Sequence, residues 1–229
     1  MKTIVEDYPA LCRKAAEQIA AVISNNDKAC LALSIGEEQA GVYTQLRELL
    51  AEKSLKLSKC RVFLINEFEQ GETRGYSCLG ALEAALEGCG VDEIISPALL
   101  PPENYDSLVE VSGGIDLALL GLGKNCRIGF NEPATPFASR CHRQKLTNAT
   151  RREKAPLFGG EEAVPEFGLT MGIKTIVEAR EILLFAAGED KAGAVFSTLY
   201  GKTDSYLPSA FLQIPMNVNF YIDTCAKNF

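Results

Sequence analysis

Positive charge is in short supply in this chain. Its 229 residues carry 23 Lys and Arg against 30 Asp and Glu, a formal net charge of −7. A nucleic-acid footprint needs clustered basic residues, so no nucleic-acid partner is expected. A small anion, which needs only one local pocket, is not excluded by that balance. Long apolar runs are missing too. None approaches the ~18–20 residues that a bilayer-spanning helix requires. The first residues, Met1-Lys2-Thr3-Ile4-Val5-Glu6-Asp7-Tyr8, lack the uninterrupted apolar stretch of a secretory signal. No membrane partner is expected, and the reading is a cytoplasmic protein. There is no internal repeat, low-complexity tract or linker, which favours one domain over residues 1–229. C-x-x-C pairs are absent as well. The eight cysteines, Cys12, Cys30, Cys60, Cys78, Cys89, Cys126, Cys141 and Cys225, are scattered, so neither a zinc site nor a disulfide scaffold is expected. No metal and no organic cofactor is expected.

What is present is a hydrophobic content of 47%, enough for a substantial core, and an alternation of apolar runs with helical periodicity. Strands are expected at Ala29–Ser34, Arg61–Asn66, Ile115–Leu122, Phe167–Met171, Glu181–Ala186 and Val218–Ile222. Helices are expected at Tyr8–Ser24, through Tyr43, Leu46 and Leu50, at Ala81–Leu86, at Ile173–Ala179 and at Lys191–Leu199. The pattern predicts an α/β fold, a mainly parallel sheet with helices on both faces. Prolines and glycines between residues 131 and 165 predict an irregular, functional segment. Ligands of such sheets sit beyond the carboxyl ends of the strands, here Ser34–Gln39, Asn66–Gln70 and Gly121–Pro133.

The run Leu120-Gly121-Leu122-Gly123-Lys124-Asn125-Cys126-Arg127-Ile128-Gly129-Phe130-Asn131-Glu132-Pro133 is the most specific motif. It resembles the signature of the glucosamine/galactosamine-6-phosphate deaminase–isomerase family: a Gly-x-Gly turn, then Gly-His, then Asn-Glu-Pro. The Leu-Gly-Leu-Gly-Lys-Asn spelling looks closest to the galactosamine-6-phosphate branch, and Asn125 fits that spelling as it stands. The 6-phosphogluconolactonases share the first half of the signature but not Asn-Glu-Pro. Leu169-Thr170-Met171-Gly172-Ile173-Lys174, Gly188-Glu189-Asp190-Lys191 and Pro208-Ser209-Ala210-Phe211-Leu212 extend the likeness.

The resemblance implies the family's modified Rossmann-like fold. It also implies chemistry on a 6-phosphosugar: ring opening, proton transfer between C2 and C1, and interconversion of an amino-aldose with a ketose plus ammonia. On that basis Glu132 corresponds to the Glu that tunes the catalytic histidine, and Lys191 to the phosphate-binding lysine. Gly36 and Gly123 fall in the loops that would cradle the substrate. Other positions depart from the pattern. Arg127 stands where the histidine belongs, and a guanidinium cannot shuttle protons as imidazole does. Cys126 stands where a glycine belongs. Asn66 stands where the general base, an aspartate, belongs. Glu67 is a doubtful substitute, since neighbours on a strand point to opposite faces. Glu37 and Glu38 occupy the phosphate loop, where they would repel a phosphate; alternatively they favour the following helix N-terminus.

Several residues carry two readings each. His142 either replaces the missing acid/base or serves elsewhere. The basic run Arg140, Arg143, Lys145, Arg151, Arg152 and Lys154 either binds an anion or a neighbouring subunit, or is a solvated loop. Cys126 either becomes a nucleophile beside Arg127 or shapes the pocket. The expected function is a galactosamine/glucosamine-6-phosphate isomerase (deaminase) of carbohydrate metabolism, impaired or altered in its standard reaction. The alternatives are a non-catalytic regulatory paralogue and a different reaction on a cationic or non-phosphorylated sugar, for which the acidic Glu37-Glu38 loop would make sense. Each would take a sugar or sugar phosphate as its small-molecule partner, and a homo-oligomer is left open.

Overall fold

The computed structural model describes residues 2–69 and 75–228. Gln70, at one of the expected strand ends, lies outside them. In chain order the elements are β1 (Lys2–Glu6), α1 (Tyr8–Asn25), β2 (Cys30–Leu33), α2 (Ala40–Glu52), β3 (Arg61–Leu64), β4 (Asn66–Phe68), α3 (Cys78–Ala85), β5 (Ile94–Ile95), α4 (Pro102–Val111), β6 (Leu117–Gly121), β7 (His142–Lys145), α5 (Asn148–Phe158), β8 (Phe167–Thr170), α6 (Ile173–Val177), β9 (Ile182–Ala186), α7 (Ala192–Tyr200) and β10 (Val218–Asp223). Seven strands form a sheet in the order β1-β10-β9-β6-β2-β3-β5, and every pairing in it is parallel. This is the expected α/β fold.

Strand alternation divides the core in two. Leu31, Leu33, Val62, Leu64, Leu117, Leu119, Leu183 and Phe185 pack on one face against α1, α2 and α3. Ala32, Phe63, Ala118, Leu120, Ile182, Leu184, Phe220 and Ile222 pack on the other, against α4, α6 and α7. Because both faces are covered, the central strands read as continuous apolar runs. The N-terminus of α1 is fixed by Asp7, whose Oδ1 accepts from Ala10 N at 2.9 Å, with Pro9 in the first turn.

Three expectations are corrected. Arg61–Asn66 is not one strand: β3 ends at Leu64, and Asn66 opens β4, which leaves the main sheet. There it joins β8 and β7 in a small antiparallel sheet of order β4-β8-β7. Residues 131–165 are irregular only in part, for beyond residue 141 they contain β7 and α5. Thr147 caps α5 by accepting from Thr150 N, Gly159 ends it at φ 78°, and Pro156 sits in its last turn. The helix shows no apolar stripe because one of its faces meets a charged cleft rather than the core. Finally β1, β5 and α4 complete the layers where no element was expected. Among the described residues, no helix is long and apolar enough to cross a membrane.

Candidate functional site

A cleft of about 620 Å³ opens where β2, β6, β9 and β10 end, roofed by α5. Chain order reverses across the β2–β6 pair, since β3 lies beyond β2 and β9 beyond β6. The turns after these two strands therefore diverge and leave a crevice. Ser34–Gln39 forms one wall, and Gly121–Lys124 with Gly188–Lys191 forms the other.

The turn after β6 is tightly specified. Gly123 N donates to Arg127 O at 2.9 Å, and Cys126 N donates to Gly123 O at 2.9 Å. A Cβ on Gly123 would lie 2.3 Å from Arg127 Cγ, so only glycine lets the arginine stem cross. Cys126 adopts φ 65°, the left-handed region that costs a non-glycine residue roughly 1–2 kcal/mol. That strain falls at the position where the resemblance calls for glycine. The Cys126 thiol faces Ala194 O at 3.9 Å, away from the cleft, and burial pushes its pKa up. A nucleophilic role is thereby removed.

Arg127 is buried and immobilised. Its Nη1 donates to Gly129 O at 2.8 Å and its Nη2 to Glu153 Oε1 at 2.8 Å, while Nε has no partner among the described residues. Glu153 belongs to α5 and meets Lys154 Nζ at 3.2 Å and Lys191 Nζ at 4.0 Å. Burial pushes the Glu153 carboxyl up, but Arg127, then Lys154 and Lys191, outweigh it and hold the group at about 2, below its usual 4.5. Burial, reinforced by Arg127, pushes the Lys154 ammonium down, opposed by Glu153 and Glu38. On the opposite wall Glu38 Oε2 stands 3.1 Å from Lys191 Nζ. Burial raises the Glu38 carboxyl, and Lys191 partly offsets it.

Of the residues singled out from the sequence, Asn66, Arg127, Gly36, Gly123 and Lys191 all line the cleft. Glu132 and Asn125 stand behind it. Asn125 Nδ2 donates to Glu132 Oε2 at 2.7 Å, and Thr147 donates to the same carboxylate through N at 3.1 Å and Oγ1 at 3.2 Å. Glu132 therefore joins the β6 turn to the start of α5. Glu67 is turned away from the cleft, as strand alternation requires. Its oxygens accept from Phe68 N, Ser77 Oγ, Cys78 N and Leu79 N at 2.7–2.9 Å, capping α3.

His142 sits in β7 beside Arg140 O and the Gln144 side chain and does not line the cleft. The basic run is not a solvated loop throughout. Arg140 pairs with Glu178, Arg143 pairs with Glu69 and covers the Phe167 ring at 3.5 Å, and Lys154 enters the cleft. Glu153 is the site residue that sequence reasoning missed, and Lys154 was singled out only as one of the basic run. The usable signal was a Thr147 cap and a Gly159-Gly160 stop around eleven helix-competent residues.

The chain matches the family model described as glucosamine-6-phosphate isomerases/6-phosphogluconolactonase over residues 6–219. The glucosamine-6-phosphate deaminase of Clostridioides difficile (strain 630) is 30% identical over 98% of this chain and 94% of its own length. That of Clostridium acetobutylicum is 32% identical, over 97% of this chain and 96% of its own. A solved monomeric glucosamine-6-phosphate deaminase superposes with a TM-score of 0.92 at 31% identity, covering 99% of this chain and 98% of that one. The 6-phosphogluconolactonase of Trypanosoma cruzi shares the fold, with a TM-score of 0.74 at 18% identity over 98% of this chain and 95% of that one. By sequence over nearly its whole length, and by fold, the chain belongs to the glucosamine-6-phosphate isomerase/6-phosphogluconolactonase family.

Proposed function

We propose that residues 1–229 form one cytoplasmic domain of the glucosamine/galactosamine-6-phosphate deaminase–isomerase type. It binds a sugar or sugar phosphate in the cleft, and its standard reaction is impaired or altered. The observation that carries this reading is the fixation of Arg127 between Gly129 O and Glu153. A doubly anchored guanidinium can stabilise negative charge on a sugar oxygen, but it cannot take and return a proton at working pH. Asn66, at the cleft where the resemblance calls for an aspartate, offers an amide and no base. The Gly123-Lys124-Asn125 spelling favours a galactosamine-type substrate over glucosamine.

The test is the double variant Asn66→Asp/Arg127→His, assayed for ammonia release from glucosamine-6-phosphate and galactosamine-6-phosphate and from the two unphosphorylated amino sugars. A general acid or base contributes about 10²–10⁴ in rate, so restoring the pair should raise turnover by at least about 10²-fold. No gain would sink the reading of an attenuated deaminase. It would favour the second one, a non-catalytic paralogue that binds sugar or sugar phosphate. That reading is supported by the ion pair of Lys191 with Glu38, which engages the expected phosphate lysine internally.

A further inference from the structure

Glu38 is held as a bound anion would be. Its Oε1 accepts from Leu122 N at 3.2 Å and from Gln39 Nε2 at 3.3 Å, and its Oε2 faces the buried Lys191 ammonium at 3.1 Å. Lys191 Nζ also donates to Leu122 O at 2.5 Å, so the lysine is fixed from two sides. A backbone N–H, an amide and an ammonium converging on one oxygen pair make an anion cradle. Space for it is left by Gly121, where a Cβ would lie only 2.5 Å from Glu38 Oε1. On the same wall Ser34 Oγ is buried and has no partner among the described residues, so a donor stands ready that Glu38 does not use.

Glu38 already supplies the Lys191 ammonium with a carboxylate partner at 3.1 Å. A phosphate monoester brings about −1.5 to −2 charges near neutrality. Placed in the same cradle, it would have to evict Glu38 or lie buried against it. Two like charges in a poorly solvated site repel strongly.

We propose that Glu38 is a built-in anion that fills the anion subsite of this cleft, so that the protein takes an unphosphorylated sugar and excludes its 6-phosphate. This rests on the reading of the cleft as the sugar site. It assigns Glu38 as the residue that sets ligand class, with Lys191 kept as its counter-ion rather than as a phosphate hook.

Isothermal titration of the full chain with orthophosphate, galactosamine and galactosamine-6-phosphate tests it, using the wild type, Glu38→Thr and Glu38→Gln. The wild type should bind galactosamine and ignore orthophosphate. Glu38→Thr, which frees Lys191 and leaves a small hydroxyl, should gain affinity for orthophosphate and galactosamine-6-phosphate by ~10-fold or more, at least 1.4 kcal/mol. Glu38→Gln, which keeps the shape and removes the charge, should gain part of this and carries the test if the threonine variant fails to fold. Wild-type protein that prefers galactosamine-6-phosphate to galactosamine would overturn the proposal. So would orthophosphate affinity that neither substitution changes, including none in any of the three proteins. A gain of orthophosphate binding with no affinity for either sugar in any protein would uphold the filled subsite and refute the sugar reading instead.

Discussion

Glu153 Oε1 lies 2.8 Å from Arg127 Nη2, which ties α5 to the turn after β6 across 26 residues of sequence. The same oxygen holds Lys154 at 3.2 Å, so one carboxylate faces the buried Arg127 and the half-buried Lys154, with Lys191 a third cation at 4.0 Å. The guanidinium is thus part of a fixed lattice of charge that also positions the roof of the cleft.

Removing the carboxylate should therefore be costly. Glu153→Gln leaves Arg127 and Lys154 facing each other without compensation. Breaking a buried pair from one side costs about 3–5 kcal/mol, a fall of roughly 6–20 °C in Tm for a chain of this size. Thermal unfolding at neutral pH measures it. In a double-mutant cycle, Arg127→Ala and Glu153→Ala should couple by about 0.5–3 kcal/mol rather than add.

Acid should act through the same group. Glu153 is held at about 2 in the folded chain against a usual 4.5. A depressed carboxyl contributes stability that is present above 4.5 and is lost as pH falls toward about 2. The wild-type Tm should drop through that window more steeply than that of Glu153→Gln. Parallel curves for the two proteins would exclude Glu153 as the source of acid lability.

Adjacent residues on β4 should behave oppositely. Glu67 satisfies three donors at the start of α3, among them Cys78 N at 2.9 Å and Leu79 N at 2.7 Å, and Phe68 N on its own strand. Glu67→Ala leaves them unpaired and should cost at least about 2–3 kcal/mol. Among the described residues the Asn66 side chain makes one weak hydrogen bond, to Cys78 Sγ at 3.7 Å, so Asn66→Ala should cost no more than about 1 kcal/mol. Denaturant midpoints compare the two, and equal losses would contradict the assignment of faces.

The parallel sheet was legible because its central strands are buried on both sides and read as unbroken apolar runs, as in Leu117–Gly121 and Ile182–Ala186. The glycines of the β6 turn and the position of Lys191 were legible because their spacing is rigidly local. Helix α5 was not. Pro156 and the paired glycines after it read as breakers, and its cleft face is charged rather than apolar. The partners Lys191 and Glu38, or Arg127 and Glu153, could not be paired from sequence because their meeting depends on how the turns after β2 and β6 approach each other. Glu132 was legible as a special residue, but its links to Asn125 and Thr147 depend on where α5 starts.

Restoring the aspartate at position 66 should carry a pH signature of its own. Asn66 is nearly buried, in contact with Cys78 and close to Gly129, and the Arg127 guanidinium is already engaged by Gly129 O and Glu153. A carboxyl placed there should be raised by burial above its ordinary ~3.9. A raised acid leaves stability intact while it is protonated and lowers it as pH climbs from the unfolded to the folded pKa. Asn66→Asp should therefore match the wild-type Tm below about pH 4 and fall behind it as pH rises. The gap should reach about 1.4 kcal/mol for each unit of the shift and then stay level. Such a curve would show that a carboxylate at this position destabilises the fold and that asparagine relieves the cost, which gives a physical reason for asparagine at this position. A gap independent of pH would mean that the site tolerates a carboxylate, and that its burial gives no reason for asparagine there.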